Sequence, residues 1–422
     1  MQKLILYFVM LFIAGSSSAQ MPADTLRIKL EDAEKIFLDS NFQLLAQKYN
    51  IDAQKALVIQ ARLYPNPNLS ISHGLYSGTL KQFFPLGSND ETSASLSQLI
   101  LLAGKRNKQI KLQQANVQLS EYQFFDLIRT LKYTLRTDFF NIYYLQQSSK
   151  VYDEEINALQ KVVDAFIQQE GKGYIAEKEV VRIKAQLYSL QNEYGFLVNQ
   201  INDAQSELKL ILQVKPDKYI LPLTDSVSIA NLDPNRYALN VLVDSAYKNR
   251  TDLQMAKSNT EINKLNYNYQ KSLAVPDVTL SLGYDEQGSF LTNFVGIGAS
   301  IDLPFFSRNQ GNIKSAKAMI DYSNASQKST QATVEQNVAR ALQKAFTQDK
   351  LYKNIDAKFS GDFDRLMHEV ILNYQRRNIT ILDFLDFYES YKQNVLQINS
   401  IKFSRASAFE DINFYTGTNF FN

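Results

Sequence analysis

The chain of 422 residues has no cysteine and no tryptophan, only two histidines, and few glycines (15) and prolines (9). Without cysteine there is no disulfide, no thiolate metal site, no thiol nucleophile and no acylated N-terminal cysteine. His73 and His368 have no second ligand in helical register, and the six methionines are scattered, so the chain offers no metal site and no cofactor pocket. Gly104-Lys105-Arg106 lacks the upstream glycine spacing and the Ser/Thr of a phosphate loop, and no nucleophile constellation appears; the sequence does not read as an enzyme. Charge of one sign is missing too: 45 Lys+Arg face 43 Asp+Glu, which recommends neither nucleic acid nor another polyanion as partner. No run in the body of the chain reaches the roughly 20 apolar residues of a membrane-spanning helix.

The one greasy run is at the start. Lys3, the apolar stretch Leu4 to Ala14 and the small residues Ser17-Ser18-Ala19 read as a cleaved export signal over 1–19. An exported chain with no helical span either stays in solution beyond the inner membrane or enters a membrane as strands.

What is abundant is repetition. Shifted by 209 positions, Leu44–Gly74 falls on Leu253–Gly283 without a gap, with identities at Leu44/Leu253, Lys48/Lys257, Asn50/Asn259, Lys55/Lys264, Pro67/Pro276, Ser72/Ser281 and Gly74/Gly283. A duplication of this length makes one body of two similar halves. The halves read as 20–213 and 236–422, with 214–235 as an irregular linker or belt.

Each half carries two alternating segments, expected as strands near 68–76, 92–101, 277–285 and 293–303. Leu69 and Ile71 alternate with Asn68, Ser70 and Ser72; Val295, Ile297, Ala299 and Ile301 alternate with Gly296, Gly298 and Ser300. One face is apolar and the other small and polar, the dyad pattern of a membrane β-barrel. A soluble antiparallel sheet packed on a helix gives the same local signal.

The helices are exceptional in length. Segments near 107–170 and 309–375 are almost free of glycine and proline, and each would reach roughly 95 Å as one helix. Shorter return helices are expected near 175–213 and 380–415. The first of these carries Leu187, Leu190, Tyr194, Leu197, Ile201, Ala204, Leu208 and Ile211 at coiled-coil spacing. A return helix and an N-terminal helix of about 32 residues, end to end, match the long helix's span, as in the wall of a tall tube. Four strands cannot close a barrel, since the smallest outer-membrane barrels have about eight. Open edges in lipid leave N–H and C=O groups unpaired, so a membrane reading requires several chains to share one barrel.

The residues resemble a known family, the TolC-like outer-membrane efflux channels, over essentially the whole mature chain. Leu303-Pro304-Phe305-Phe306-Ser307-Arg308-Asn309-Gln310-Gly311-Asn312-Ile313 is similar to the P-L-F-x-R-N-Q-G-x-I signature of the branch serving heavy-metal exporters of the resistance-nodulation-division class. Ser97–Arg106 is its counterpart in the first repeat. Asn249-Arg250-Thr251-Asp252-Leu253 resembles the family's R-P-D-L, with Thr251 where proline is usual. Chemically, Pro304, Arg308, Asn309, Gln310 and Gly311 mark a strand-to-helix corner, where Pro304 ends the ladder and the Asn309 side chain is suited to cap the helix.

The resemblance implies a mainly helical homotrimer: twelve strands, four per chain, in outer-membrane lipid, and a periplasmic helical tunnel whose tip meets an adaptor protein and an inner-membrane pump. It places the adaptor-contacting tips at Gly171, Lys172 and Gly173 and at Arg376, Arg377 and Asn378, with Asn378 suited to a left-handed turn. It places a periplasmic gate at Asp383, Asp386, Glu179 and Tyr374. The family's gate arginine falls on Ile379, leaving Arg376, Arg377 or Arg182 as substitutes. The implied function is passive conduction of exported substrate, heavy-metal cations by the R-N-Q-G match. Drug efflux, type I protein secretion and a soluble periplasmic coiled-coil scaffold are the alternatives.

Overall fold

The computed structural model describes residues 24–78, 80–85, 92–224, 231–287, 291–355, 359–376 and 378–421; the segment 1–19 read as an export signal lies outside them. The order of elements repeats. In the first half come β1 (Thr25–Lys29), α1 (Leu30–Ser40), α2 (Phe42–Arg62), β2 (Asn68–His73), β3 (Tyr76–Ser77), β4 (Gln82–Phe83), β5 (Thr92–Ile100), α3 (Lys105–Glu170) and α4 (Glu177–Leu212). After β6 (Tyr219–Leu223) and a 3-10 turn at Pro234–Arg236, the second half has α5 (Leu239–Asn249), α6 (Thr251–Leu273), β7 (Val278–Gln287), β8 (Thr292–Ile301), α7 (Gln310–Lys353), α8 (Phe359–Gln375) and α9 (Ile381–Thr416).

The duplication is visible at single residues. Asn41 and Arg250, 209 apart, are the N-caps of α2 and α6 with the same backbone, φ/ψ −70°/119° and −69°/119°. Asn41 caps with its own side chain, accepting from the N–H groups of Gln43 and Leu44. Arg250 cannot accept, so Asp252 does: its Oδ1 takes the Leu253 N–H while the buried Arg250 guanidinium donates to the same carboxylate. Thr251, standing where the family has proline, donates to Asp126 Oδ1 at 2.6 Å and ties α6 to α3.

α3 is one helix of 66 residues, ~99 Å at 1.5 Å per residue. Its counterpart differs from the single helix expected over 309–375: α7 ends at Lys353, where Asn354 caps it, and α8 begins at Phe359. Lys350 and Lys353 in the last turn of α7 complement the carbonyl end of the helix dipole. The N-terminal helix is likewise two, because Asn41 in an extended conformation starts α2 afresh.

The belt expected to be irregular contains β6, which pairs in parallel with β1, Ile28 opposite Pro222 and Arg27 opposite Leu221. Gln205 completes this short ladder, donating to the Ile220 carbonyl at 2.6 Å and accepting its N–H at 3.0 Å. Ile28, Phe37, Phe139, Ile142, Leu208 and Ile220 pack around it as one buried cluster.

Antiparallel pairing in the order β2-β5-β7-β8 makes a four-stranded sheet from one hairpin of each half. Registers align the alternation. Leu69 faces Leu96, Leu96 faces Leu282 and Leu282 faces Ile297, while the neighbouring row is Ser70, Ser95, Gly283 and Gly296. One face therefore carries Leu, Ile and Val, with Leu69, Ile71, Val295 and Ile297 at least 64% exposed in the single chain. The other carries Asn68, Ser97, Ser281 and Gly298 in the next row. β2 stops at His73 rather than near 76, since the chain turns into the small β3–β4 hairpin.

Candidate functional site

The two helix reversals stand at one end of the molecule and the sheet at the other. In the first reversal Gly173 has φ +75°, a conformation glycine adopts without the Cβ clash. Its N–H donates to the Glu170 carbonyl at 2.8 Å, and the Tyr174 N–H donates to Gln169 at 2.9 Å. Gly171 and Lys172 complete the turn and are exposed. In the second, the Asn378 N–H donates to the Asn373 carbonyl at 2.9 Å and its side chain to Asn373 Oδ1. Arg376 is exposed, and Arg377 lies outside the described residues.

Above the second turn, Thr380 opens α9 with a capping box: the Asp383 N–H donates to Thr380 Oγ1, and the Thr380 N–H and hydroxyl donate to Asp383 Oδ2 at 3.2 and 2.7 Å. Asp383 is therefore a helix-starting residue as well as an exposed carboxylate. Asp386, one turn on, is exposed on the same face. Both border a groove of about 640 Å³ between α4 and α9, whose opposite wall is Arg182, Ala185 and Gln186. Among the described residues, Arg182, of the arginines considered for the gate, lines the same groove as these two acids.

Tyr374 and Glu179 lie on the packed side. Tyr374 is buried and stacks on Phe384 (centroids 4.3 Å apart, planes 12° apart) and on Phe166 (5.6 Å). Phe384 in turn meets Tyr388 at 5.6 Å. This aromatic column joins the hairpin α3/α4 to the hairpin α8/α9. The Tyr374 hydroxyl is buried with no hydrogen-bond partner; burial, and then the nearby Glu179 carboxylate, push its pKa up.

The corner residues lie far from this tip, at the start of α7. Asn309 precedes α7 in a left-handed conformation (φ +56°) and makes no side-chain cap; instead its amide donates to the Gln270 carbonyl at 2.8 Å and to Gln270 Oε1 at 2.9 Å, pinning α7 to α6. Gly104 occupies the corresponding place before α3 with φ +67°. Gln310 closes the corner by accepting the Arg308 N–H at 2.7 Å and donating to the Phe306 carbonyl. Pro304 follows the last residues of β8, and Gly311 lies in the open first turn of α7. In the first repeat, buried Lys105 bonds the Val275 carbonyl at 2.6 Å and Asp277 at 2.7 Å, so the first corner is locked to the second repeat's strand.

Sequence reading missed the mid-body charge network. Arg136 on α3 donates to both oxygens of Glu410 on α9 at 2.7 Å and to Glu34 on α1, which Lys132 also meets. Arg405, 1% exposed, donates to Asp349 at 2.8 Å and to the Leu232 carbonyl. Partners up to 274 residues apart have no local signature. Among the described residues no group of three or more His, Cys, Asp or Glu is placed to hold a metal ion, and no helix is long and apolar enough to cross a membrane.

A sheet with one apolar and one small-polar face, carried on helical hairpins this long, defines a β-barrel channel subunit with a helical tunnel. Residues 35–212 and 242–356 match the outer membrane efflux protein family, and the chain belongs to it. Its duplicated, mainly helical fold is that of the TolC-like channels: an outer-membrane conduit, not an enzyme, with a long periplasmic helical portion. Channels of this kind are trimers that work with an adaptor and a pump.

The cobalt-zinc-cadmium resistance protein CzcC of Cupriavidus metallidurans is 20% identical over 361 residues, covering 85% of this chain and 82% of that protein. The CmeC outer membrane channel of Campylobacter jejuni superimposes with a TM-score of 0.74 at 15% identity, over 93% of this chain and 86% of its own. The transmembrane channel CusC gives 0.73 at 15%, over 96% and 95%.

Proposed function

We propose that three copies of this chain form the outer-membrane duct of a tripartite efflux system of the resistance-nodulation-division type, passing heavy-metal cations from a periplasmic adaptor and inner-membrane pump to the exterior. The sheet carries the reading. β2 and β8 are its two unpaired edges, which lipid does not tolerate open, and its exposed Leu/Ile/Val face fits acyl chains while the Ser/Gly/Thr face fits water. The likeness to a cobalt-zinc-cadmium resistance protein supports a metal cargo.

At the tunnel's other end, Asp383 and Asp386 repeated three times form acidic rings that favour cations. Arg182 across the groove serves as counter-charge, and the Tyr374–Phe384 stack holds the constriction together. The turns Gly171–Gly173 and Arg376–Asn378 form the adaptor-facing rim. Deleting the gene and scoring growth on cobalt, zinc and cadmium beside a dye and a detergent tests the cargo. Selective sensitivity to the metals is expected; sensitivity to the organic compounds alone would refute it.

A further inference from the structure

About fifteen residues up α3 from the first turn, roughly 22 Å along the axis, the seam between the two hairpins contains charge. Lys392 on α9 has its side chain 0% exposed, and its ammonium donates to Glu193 on α4 at 2.7 Å and to Glu389 on its own helix at 2.8 Å. Glu155 on α3 is 4% exposed, and neither of its carboxylate oxygens has a hydrogen-bond partner. Tyr388 Oη, buried beside it, is also unpartnered, and Tyr152 Oη lies 3.4 Å from Glu193. Leu159, Leu190, Met367 and Val370 of the neighbouring buried cluster make the inner side of the seam apolar, while Glu193 and Glu389 keep 35% and 43% of their side chains exposed.

One ammonium thus faces three carboxylates. If all ionised, the seam would hold two net negative charges, one on a group with no donor. A buried carboxylate in that position takes a proton instead. Burial pushes Glu155 up to about 8; Lys392 opposes that, while Glu389, Glu193 and Glu154 reinforce it. For Lys392, burial works against the charge, but its bonds to Glu193 and Glu389 prevail and raise it. Glu389 is held below its ordinary value by Lys392 and Gln393 despite burial.

We propose that this knot is a proton-operated clamp between the hairpins: protonated Glu155 lets Lys392 bridge α9 to α4, and ionised Glu155 drives the seam apart. Ionisation leaves a bare carboxylate in an apolar seam and makes it compete with Glu193 for the single ammonium. Both effects are relieved when α9 moves away from α3 and α4 and water enters. The sign follows: a Glu bound to its proton more tightly when the seam is closed favours closure fully below its ordinary open-state value, and that contribution is lost progressively as pH rises from there to its raised closed-state value. Among the described side chains, α8 contributes Met367, Val370, Ile371 and the phenol of Tyr374 to this cluster.

The absence of native cysteine makes the test direct. Asn192→Cys on α4 and Ser390→Cys on α9, both exposed positions, take spin labels in the full-length detergent-solubilised protein. The inter-label distance is expected to lengthen as pH is raised from about 5 to about 9.5. Adding Glu155→Gln should hold the short distance throughout. Glu389→Gln, removing a like charge and a competitor for Lys392, should weaken the pH-driven lengthening, a change that a merely structural glutamate would not cause. A distance independent of pH, or an unchanged transition in Glu155→Gln or Glu389→Gln, would overturn the clamp. Either result leaves the channel assignment untouched, because that rests on the sheet and not on this seam.

Discussion

Asp383 shows how one residue serves two ends. As the N3 partner of Thr380 it stabilises the start of α9, an arrangement whose loss costs typically ~1 kcal/mol. As an exposed carboxylate facing Arg182 it belongs to the proposed ring. The two roles separate by mutation. Asp386→Asn should weaken cation preference in a planar bilayer without altering thermal stability, whereas Asp383→Ala should weaken selectivity and also lower the melting temperature. Full cation preference in Asp386→Asn would remove it from the gate.

Asp138 on α3 offers a second residue-scale test. Burial, and then the neighbouring Glu207, push its pKa up to about 7, and its Oδ2 is buried without a partner. A carboxyl that keeps its proton in the folded state costs stability as pH rises from its unfolded value near 4 towards 7. Asp138→Asn should therefore stabilise the protein at pH 8, by about 1–2 kcal/mol on the scale of one unpaired buried polar group, and leave it unchanged at pH 4. Calorimetric melts at both values decide.

Among elements, α9 is the one that binds the halves together. Its Glu410 receives Arg136 from the first half; Asp411 accepts from Tyr133 of α3 and Lys344 of α7; Arg405 reaches Asp349 of α7. Gly417 closes the helix at φ +69° with Asn249 backbone 3.0 Å from where a Cβ would sit, so only glycine lets the end of α9 lie against the α5–α6 corner. Without Glu410, Arg136 keeps Glu34 as its acidic partner, so the loss is that of the charge-assisted bonds, on the order of 1.5–3 kcal/mol. Glu410→Ala is expected to lose that much in denaturant unfolding, and Arg136→Met/Glu410→Met together much less. A double variant as damaged as the single would show that packing, not charge, holds α9.

At this scale sequence and structure also part company. The stripe Leu187, Leu190, Leu197, Ile201, Ala204, Leu208 and Ile211 is buried as its spacing requires, because a seam is written in every turn of its helix. The break between α7 and α8 is not, because good helix formers run through Gln343–Tyr352 and the end at Asn354 depends on local capping. β6 escaped for another reason: five residues pair with β1 almost two hundred positions away, and neither strand alternates over enough residues to announce itself.

On the scale of the whole molecule, the two faces of the sheet set the expectation. Ile297, 91% exposed on the apolar face, should tolerate no charge: Ile297→Lys is expected to cost about 2–4 kcal/mol if it sits near the bilayer midplane. Ser281→Lys, on the opposite face in the adjacent row, should fold and insert and instead reduce cation conductance. Outer-membrane yield and bilayer current report the two effects. Equal loss of insertion in both variants would mean that the sheet does not divide lipid from water.

What the amino-acid order determined alone is everything with a local period: the 209-residue duplication, the dyad strands, the coiled-coil stripe and the length of the first long helix. Each rests on spacings of two, three or four residues, which backbone geometry converts directly into faces. What only the folded chain decided is where charges meet across that distance: Lys105 on Asp277, Arg136 on Glu410, Lys392 on Glu193. Helix faces fix which residues turn inward; the packing of helices against one another fixes their neighbours, and electrostatic pairs act through space rather than along the chain.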